Sequence, residues 1–160
     1  MIFLTVGTQF GFDRLVRAVD NAMEQGLIQE EIFAQIGPGK YLPQHMNYVD
    51  FLEKEIFDQK VRQAEIVISH AGIGSLMLAF DHQKPILIVP RQKKFGEVVN
   101  DHQVATARKF EELGYVLAAY DTNDIAEKIR HLKTFIPKPR TPRRQGVIDC
   151  IATFLSELTG

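Results

Sequence analysis

The sequence is poor in several features that mark large classes of protein. It has one cysteine, Cys150, among 160 residues, which excludes an intramolecular disulfide framework and a cysteine-based zinc cluster. It has no excess charge of either sign, since 19 lysine and arginine residues face 20 aspartate and glutamate residues. A net charge of −1 does not fit a polybasic nucleic-acid binder, so we expect no nucleic acid among its partners.

Long apolar runs are also missing. No run approaches the ~20 residues that a membrane-spanning helix needs. The first residues, MIFLTVGTQF, contain no basic segment and no cleavage site, so no signal peptide is expected. We therefore predict a cytoplasmic protein, in which any contact with a membrane is peripheral or made through a partner. With 45% apolar residues, the chain fits one globular domain.

Short β-rich runs alternate with longer segments of helical periodicity. The predicted strands cover residues 2–6, 32–36, 47–51, 66–69, 86–89 and 115–119. The predicted helices cover residues 12–23, 57–64, 76–82, 99–113, 122–132 and 146–158. This alternation predicts an α/β fold, a Rossmann-like parallel six-stranded sheet with helices on both faces, in strand order 3-2-1-4-5-6.

Ligands of such folds bind at the carboxyl ends of the strands, near the point where the strand order reverses. The loops there read GTQFG (7–11) and HAGIGS (70–75). Gly72 and Gly74 let a ligand approach the backbone, and the start of the following helix favours a phosphate. Ser75 could cap that helix or bind a phosphate oxygen. The alternative is a tight strand–helix turn without a ligand, but the convergence of both loops on one sheet edge favours phosphate.

Other phosphate and hydrolase motifs do not match. Met77 stands where a dinucleotide fingerprint needs its third glycine, so NAD is not expected. The chain has no P-loop sequence, no Asp-x-Asp and no Gly-x-Ser-x-Gly. We expect no cofactor and no metal, because no set of potential ligands has metal-binding spacing. The remaining histidines are interpreted as surface residues without partners: His45, His82 and His131.

The segment PRQKKFGEVVNDHQ (90–103) reaches the same sheet edge. Three basic side chains there could neutralise phosphates or an anionic sugar, or could simply be solvated: Arg91, Lys93 and Lys94. Four consecutive hydrogen-bonding side chains suit the recognition of sugar hydroxyls: Asn100, Asp101, His102 and Gln103. The alternative for Asn100 and Asp101 is a helix N-cap.

Four motifs, GTQ, ISHAGIGS, KPILIVP and NDHQ, in this order and spacing, resemble the C-terminal domain of glycosyltransferase family 28. That domain is the nucleotide-sugar-binding half of a GT-B enzyme. The resemblance covers about residues 1–135 and leaves 136–160 as a Pro/Arg-rich arm and a C-terminal amphipathic helix. The chain is similar to small cytosolic subunits of two-component transferases. These include bacterial exopolysaccharide and capsule enzymes, suggested by 90–103, and the catalytic subunit of the dolichol-linked N-acetylglucosaminyltransferase.

The resemblance implies a set of UDP-sugar-binding residues. Gly7, Thr8 and Gln9 match the loop that faces the interdomain cleft, and Phe51 matches the border of the uracil pocket. The diphosphate turn is matched by His70, Ala71, Gly72, Ile73, Gly74 and Ser75. His102 and Gln103 match the segment that reads sugar hydroxyls. The chain departs from the family at Leu78, where many relatives carry a glutamate that holds the ribose, and Asp81 lies about one turn further. No catalytic residue is assigned.

A GT-B site lies between two Rossmann domains, and the resemblance implies that this chain supplies one of them. A membrane-anchored partner subunit would supply the other, with the acceptor and the catalytic base. The implied reaction is metal-independent transfer of a hexose or hexuronic acid from a UDP-sugar to a lipid-linked saccharide acceptor in exopolysaccharide or capsule biosynthesis. One alternative is a non-catalytic UDP-sugar-binding module that enhances a partner transferase. The other alternative is half of a sugar-nucleotide epimerase, which the chain length disfavours.

The last predicted helix carries an apolar stripe that must be buried against this domain or another chain. Its members are Val147, Ile148, Ile151, Phe154, Leu155 and Leu158. The prolines before it favour an extended arm, and its charges could face anionic lipids: Lys138, Arg140, Arg143 and Arg144. We predict that this helix docks the partner subunit; the alternative is an ordinary closing helix of the domain.

Overall fold

The computed structural model describes residues 1–139 and 144–159. Six strands form one sheet: β1 (Ile2–Thr5), β2 (Ile32–Gln35), β3 (Asn47–Val49), β4 (Ile66–His70), β5 (Ile86–Val89) and β6 (Leu117–Ala118). All neighbouring strands pair in parallel, in the order β3-β2-β1-β4-β5-β6. The predicted Rossmann order is confirmed.

The helices cover both faces of this sheet. They are α1 (Asp13–Glu24), α2 (Lys54–Gln63), α3 (Ile73–Asp81), α4 (His102–Glu112), α5 (Ile125–Leu132) and α6 (Arg144–Thr159), with short 3-10 turns at Lys93–Phe95 and Thr122–Asp124. One core cluster lies under α1 and α5, and a second lies under α2, α3 and α4. No helix of the described residues is both long and apolar enough to cross a membrane.

Successive side chains of each central strand point alternately into the two core clusters. In β1, Ile2 and Leu4 belong to the first cluster while Phe3 belongs to the second. In β5, Leu87 and Ile88 divide in the same way. Because successive side chains of a strand point to opposite faces, a sheet covered on both sides needs uninterrupted apolar strands. This is why ILIV at 86–89 carries no polar residue.

Several element boundaries differ from the predicted ones, mostly at the sheet edge that carries the loops. Helix α3 begins at Ile73, three residues before the predicted start, because Gly72 has the extended conformation of an N-cap (φ −83°, ψ 135°). Helix α4 begins at His102 rather than at residue 99. Strand β3 ends at Val49, so Phe51 lies beyond it, in the loop that leads to α2.

The segment before α6 lies back against the domain. The backbone N–H of Lys138 donates to the carbonyl of Gly114 at 2.9 Å, and the side chain of Lys138 occupies the space beside Gly114. Ile151 packs against the second core cluster. The other residues used for the docking prediction lie partly outside the described part of the chain: Arg140 and Arg143, and the side chains of Arg144, Val147 and Ile148.

Candidate functional site

A cleft of about 890 Å³ opens at the carboxyl edge of the sheet. It brings together these predicted site residues: Gly7, Thr8, Gln9, Phe51, His70, Gly74, Ser75, Arg91 and Gln103. The other predicted site residues are not among those that line it: Ala71, Gly72, Ile73, Asn100, Asp101 and His102. The loops after β1 and β4 therefore do converge, as their positions in the fold require.

The side chain of His70 determines the shape of the turn between β4 and α3. A Cβ atom on Gly72 would overlap the imidazole ring, and one on Gly7 would come within 3.0 Å of its Cε1 atom. Gly7 also has φ +81°, in the left-handed region that favours glycine. Gly74 differs, because a Cβ atom there would meet nothing within 4 Å. Glycine at 7 and 72 makes room for His70, whereas the space at 74 belongs to the cleft.

His70 is held uncharged. Burial, followed by the positive charge of Arg91, lowers the pKa of His70 to about 4. Its Nδ1 atom lies 3.3 Å from the hydroxyl oxygen of Ser69. At neutral pH the ring is therefore a neutral imidazole, which has one N–H to donate and no charge of its own.

The amino terminus of α3 points its backbone donors toward this cleft. Its N-cap residue is Gly72, and no side chain of the described residues caps the helix. Ser75 is the third residue of the helix and does not cap it, so the capping alternative for Ser75 is wrong. Uncapped N–H groups and the positive end of the helix dipole form an anion site. The hydroxyl group of Ser75 lines the cleft beside them.

Arg91 holds the loop after β1 in place. Its guanidinium is buried and donates to the carbonyls of Gly11 at 2.6 Å, Val6 at 3.0 Å and Phe10 at 2.9 Å. It also lies over the ring of Phe12, 4.6 Å from the centroid. The sequence left two interpretations of this charge, neutralisation of a phosphate or anionic sugar and simple solvation. The structure instead occupies its donors with backbone carbonyls, which fixes the loop that borders the cleft.

Gln103 connects α4 to the same region. Its Oε1 atom accepts a hydrogen bond from the backbone N–H of Arg91 at 3.0 Å. With the oxygen so used, the amide NH₂ group remains for a ligand in the cleft. Two of the three residues expected to share its role have local hydrogen bonds: Asp101 accepts from the Lys93 N–H at 2.8 Å, and Asn100 accepts from the His102 N–H at 3.2 Å.

An ion pair that the sequence did not reveal fixes the loop after β5. The guanidinium of Arg14 donates to both carboxylate oxygens of Glu97, at 2.6 and 2.9 Å, and to the carbonyl of Pro90. The two side chains are 83 residues apart, a separation that has no periodic signature. Lys93 and Lys94 lie on the resulting turn, exposed and away from the cleft lining.

The interpretation of His82 as a residue without a partner is wrong. Its Nε2 atom lies 2.7 Å from the carboxylate of Asp58, which also pairs with Arg62 at 2.6 Å. His45 likewise lies 3.4 Å from the carboxylate of Asp20. Both of these partners come from other elements of the fold, so spacing along the sequence could not reveal them. His131 also has a partner, since its Nε2 atom lies 4.0 Å from the carboxylate of Glu127, four residues earlier on α5. Across the described residues, no three potential ligands gather into a metal site.

The sequence model of the glycosyltransferase family 28 C-terminal domain matches residues 1–151. The chain belongs to this family. It is 32% identical over 123 residues to the UDP-N-acetylglucosamine transferase subunit ALG13 of Mus musculus, and 29% identical over 124 residues to that of Homo sapiens. The matches cover 71% and 72% of this chain but 10% of either relative, so the chain spans about a tenth of their length.

Solved structures support the fold. The solution structure of ALG13 superposes with a TM-score of 0.62 at 22% identity, over 87% of this chain and 89% of that one. The crystal structure of Acinetobacter baumannii MurG gives the same TM-score at 18% identity, over 94% of this chain and 49% of the other. The family 28 chain therefore has the Rossmann-like fold of a C-terminal GT-B domain, as its sequence predicts.

Proposed function

We propose that this family 28 chain is the donor-binding subunit of a two-component glycosyltransferase that uses a UDP-sugar. The observation that carries the proposal is the open space at Gly74, where the uncapped amino terminus of α3 meets the cleft. A helix amino terminus facing an open cleft suits a diphosphate. The relatives in Mus musculus and Homo sapiens are subunits of a UDP-N-acetylglucosamine transferase, which supports the same donor class and the same division into subunits.

The proposed chemistry needs no metal. Transfer breaks the bond between the sugar's anomeric carbon and an oxygen of the diphosphate, and negative charge develops on the departing UDP. The N–H groups of α3 can stabilise that charge because they are already oriented. His70 lines the same cleft as a neutral ring that can donate one hydrogen bond. A base with a pKa of about 4 accepts a proton poorly at neutral pH, so the proposal places the catalytic base on the partner subunit.

The residues that line the cleft bear on the charge of the sugar. A hexuronic acid would need a free cation nearby. The guanidinium of Arg91 donates to carbonyls, and Lys93 and Lys94 do not line the cleft, but the exposed Lys54 does. The lining therefore fits a neutral sugar and an anionic one equally. UDP-N-acetylglucosamine is the first donor to test, since it is the one that the relatives' names carry.

The acceptor and the partner rest on the family resemblance. We propose a lipid-linked saccharide acceptor and a membrane-anchored partner subunit, which would hold this chain at the cytoplasmic face of a membrane. The exopolysaccharide or capsule context rests only on the resemblance of segment 90–103. The relatives' names give it no support.

A second candidate is a non-catalytic module that binds UDP-sugar and enhances a partner transferase. The low pKa of His70 fits this candidate as well as the first, because the cleft's own imidazole is a poor base in either case. The two candidates differ in one result. A catalytic half raises transfer from nil when it is mixed with its partner, whereas an enhancing module only increases transfer that the partner already performs.

Calorimetric titration tests the donor class. The purified chain is titrated with UDP, UDP-N-acetylglucosamine, UDP-galactose, UDP-glucuronic acid and NAD. We expect UDP and at least one UDP-sugar to bind, and NAD not to bind. Binding of NAD in preference to UDP would contradict the proposal.

A further inference from the structure

One wall of the cleft is built by two helices that a side-chain hydrogen bond connects. Each of α2 and α3 connects the carboxyl end of one parallel strand to the amino end of the next, so both run in the same direction. His82, at the end of α3, and Asp58, on α2, lie 2.7 Å apart between Nε2 and Oδ1. Arg62 holds the other carboxylate oxygen of Asp58 at 2.6 Å. The carboxylate of Asp58 is therefore occupied within the wall.

One helical turn nearer to the amino terminus, the two helices present very different side chains. On α3 the residue four positions before His82 is Leu78, and on α2 the residue three positions before Asp58 is Glu55. Both line the cleft. Helix α3 itself offers no carboxylate from Ile73 to Phe80. Glu55 is exposed, and its carboxylate has no hydrogen-bond or ion-pair partner among the residues that the structure describes.

We propose that Glu55 binds the ribose hydroxyls of the donor nucleotide and selects ribonucleotides over 2′-deoxyribonucleotides. This rests on the proposed function. In a nucleoside diphosphate the ribose lies between the base and the phosphates. Three residues of the cleft lining match this order: Phe51, where the family resemblance places the base, Glu55, and Gly74 at the proposed phosphate site. The helix that carries Glu55 also contacts α3. A carboxylate accepts hydrogen bonds from both hydroxyls of a vicinal diol, as acidic residues do for ribose in dinucleotide-binding folds.

The direction of the change in UDP affinity when Glu55 is removed distinguishes a solvated carboxylate from one that binds the ribose. A carboxylate near a diphosphate repels it, so removal of a merely solvated glutamate would strengthen UDP binding slightly. Removal of a carboxylate that accepts hydrogen bonds from the ribose would weaken UDP binding instead. A hydrogen bond to a charged group contributes about 1.5–3 kcal/mol, which converts to roughly 10- to 150-fold in affinity.

The test compares two variants and two nucleotides in calorimetric titrations. Glu55→Ala removes the proposed ligand. Glu53→Ala is the matched control, because Glu53 is also exposed, precedes the same helix, makes no capping hydrogen bond and does not line the cleft. Both variants lose one negative charge, and thermal unfolding checks that both stay folded. The probes are UDP and 2′-deoxy-UDP.

We expect the wild-type chain to prefer UDP over 2′-deoxy-UDP by at least tenfold. Glu55→Ala should lose at least tenfold in UDP affinity and most of the preference, while Glu53→Ala should keep both. Equal affinities of the wild-type chain for UDP and 2′-deoxy-UDP, or an unchanged preference in Glu55→Ala, would overturn the assignment of Glu55. Either result would leave the proposed function of the chain intact. If the wild-type chain binds neither nucleotide, the proposed function fails and the assignment falls with it.

Discussion

The imidazole of His70 fills the space that a side chain on residue 72 would need, so Gly72 is glycine for reasons of packing rather than ligand binding. The glycine turn of this family 28 chain therefore has two parts. Gly72 accommodates His70, and Gly74 leaves the cleft open. The two glycines look equivalent in the sequence HAGIGS, and only the folded structure separates their roles.

This relationship predicts the effect of Gly72→Ala. The added methyl group would force the imidazole of His70 or the turn to move, and overpacking of this kind costs roughly 1–3 kcal/mol. Denaturant unfolding of the variant should show a loss of that size. His70→Ala in the same chain should restore a large part of it, because the space is then vacant. If the losses of the two single variants simply add in the double variant, the two residues do not interact as described.

The pKa of His70 predicts a dependence of stability on pH. Its folded value of about 4 lies below the ordinary value of 6.5, so the unfolded chain binds the proton more readily between those values. The stability contributed by the neutral ring should therefore be complete above pH 6.5 and decline as the pH falls toward 4. His70→Gln, which does not titrate, should show a shallower decline in urea unfolding across this window. Equal slopes for the two chains would contradict the shift.

The double role of Gln103 predicts two effects of Gln103→Ala. Loss of the acceptor for the buried Arg91 N–H should cost roughly 1–3 kcal/mol of stability. Loss of the amide NH₂ group should weaken a bound UDP-sugar more than UDP, because the sugar lies beyond the diphosphate. Titrations of both ligands at a temperature where the variant is folded measure the difference. An equal loss for both would show that Gln103 acts only through Arg91 and the loop.

Residues 146–160 give a prediction about assembly. The stripe on α6 is only partly covered, since Ile151 packs on the second core cluster while Leu158 stays 41% exposed. Deletion of 146–160 should leave a folded chain that still binds UDP but no longer co-purifies with the partner subunit. A truncated chain that unfolds would assign the helix to this domain's core. A truncated chain that still co-purifies with the partner would show that docking occurs elsewhere, and the loop at 7–11 is then the next site to test.

The sequence predicted the sheet order well because it depends on local signals. Buried parallel strands such as 86–89 are uniformly apolar, and glycines and prolines mark their ends. It predicted the loops that meet at the cleft for the same reason. It failed for contacts between distant segments: the Arg14–Glu97 ion pair, the Asp58–His82 hydrogen bond and the hydrogen bonds of Arg91. A charged side chain looks alike in sequence whether it faces a ligand, a carboxylate or a carbonyl.

The most direct test of the account is the affinity of Gly74→Val for UDP. A Cβ atom at this position would meet nothing within 4 Å outside its own helix backbone, so we expect the variant to fold with nearly unchanged stability. Valine is also no worse than glycine within a helix. The branched side chain would stand where the diphosphate must lie, so calorimetry should show UDP binding weakened at least tenfold relative to the wild type. A folded Gly74→Val chain that binds UDP as tightly as the wild type would contradict the claim that the cleft at the start of α3 is the donor site.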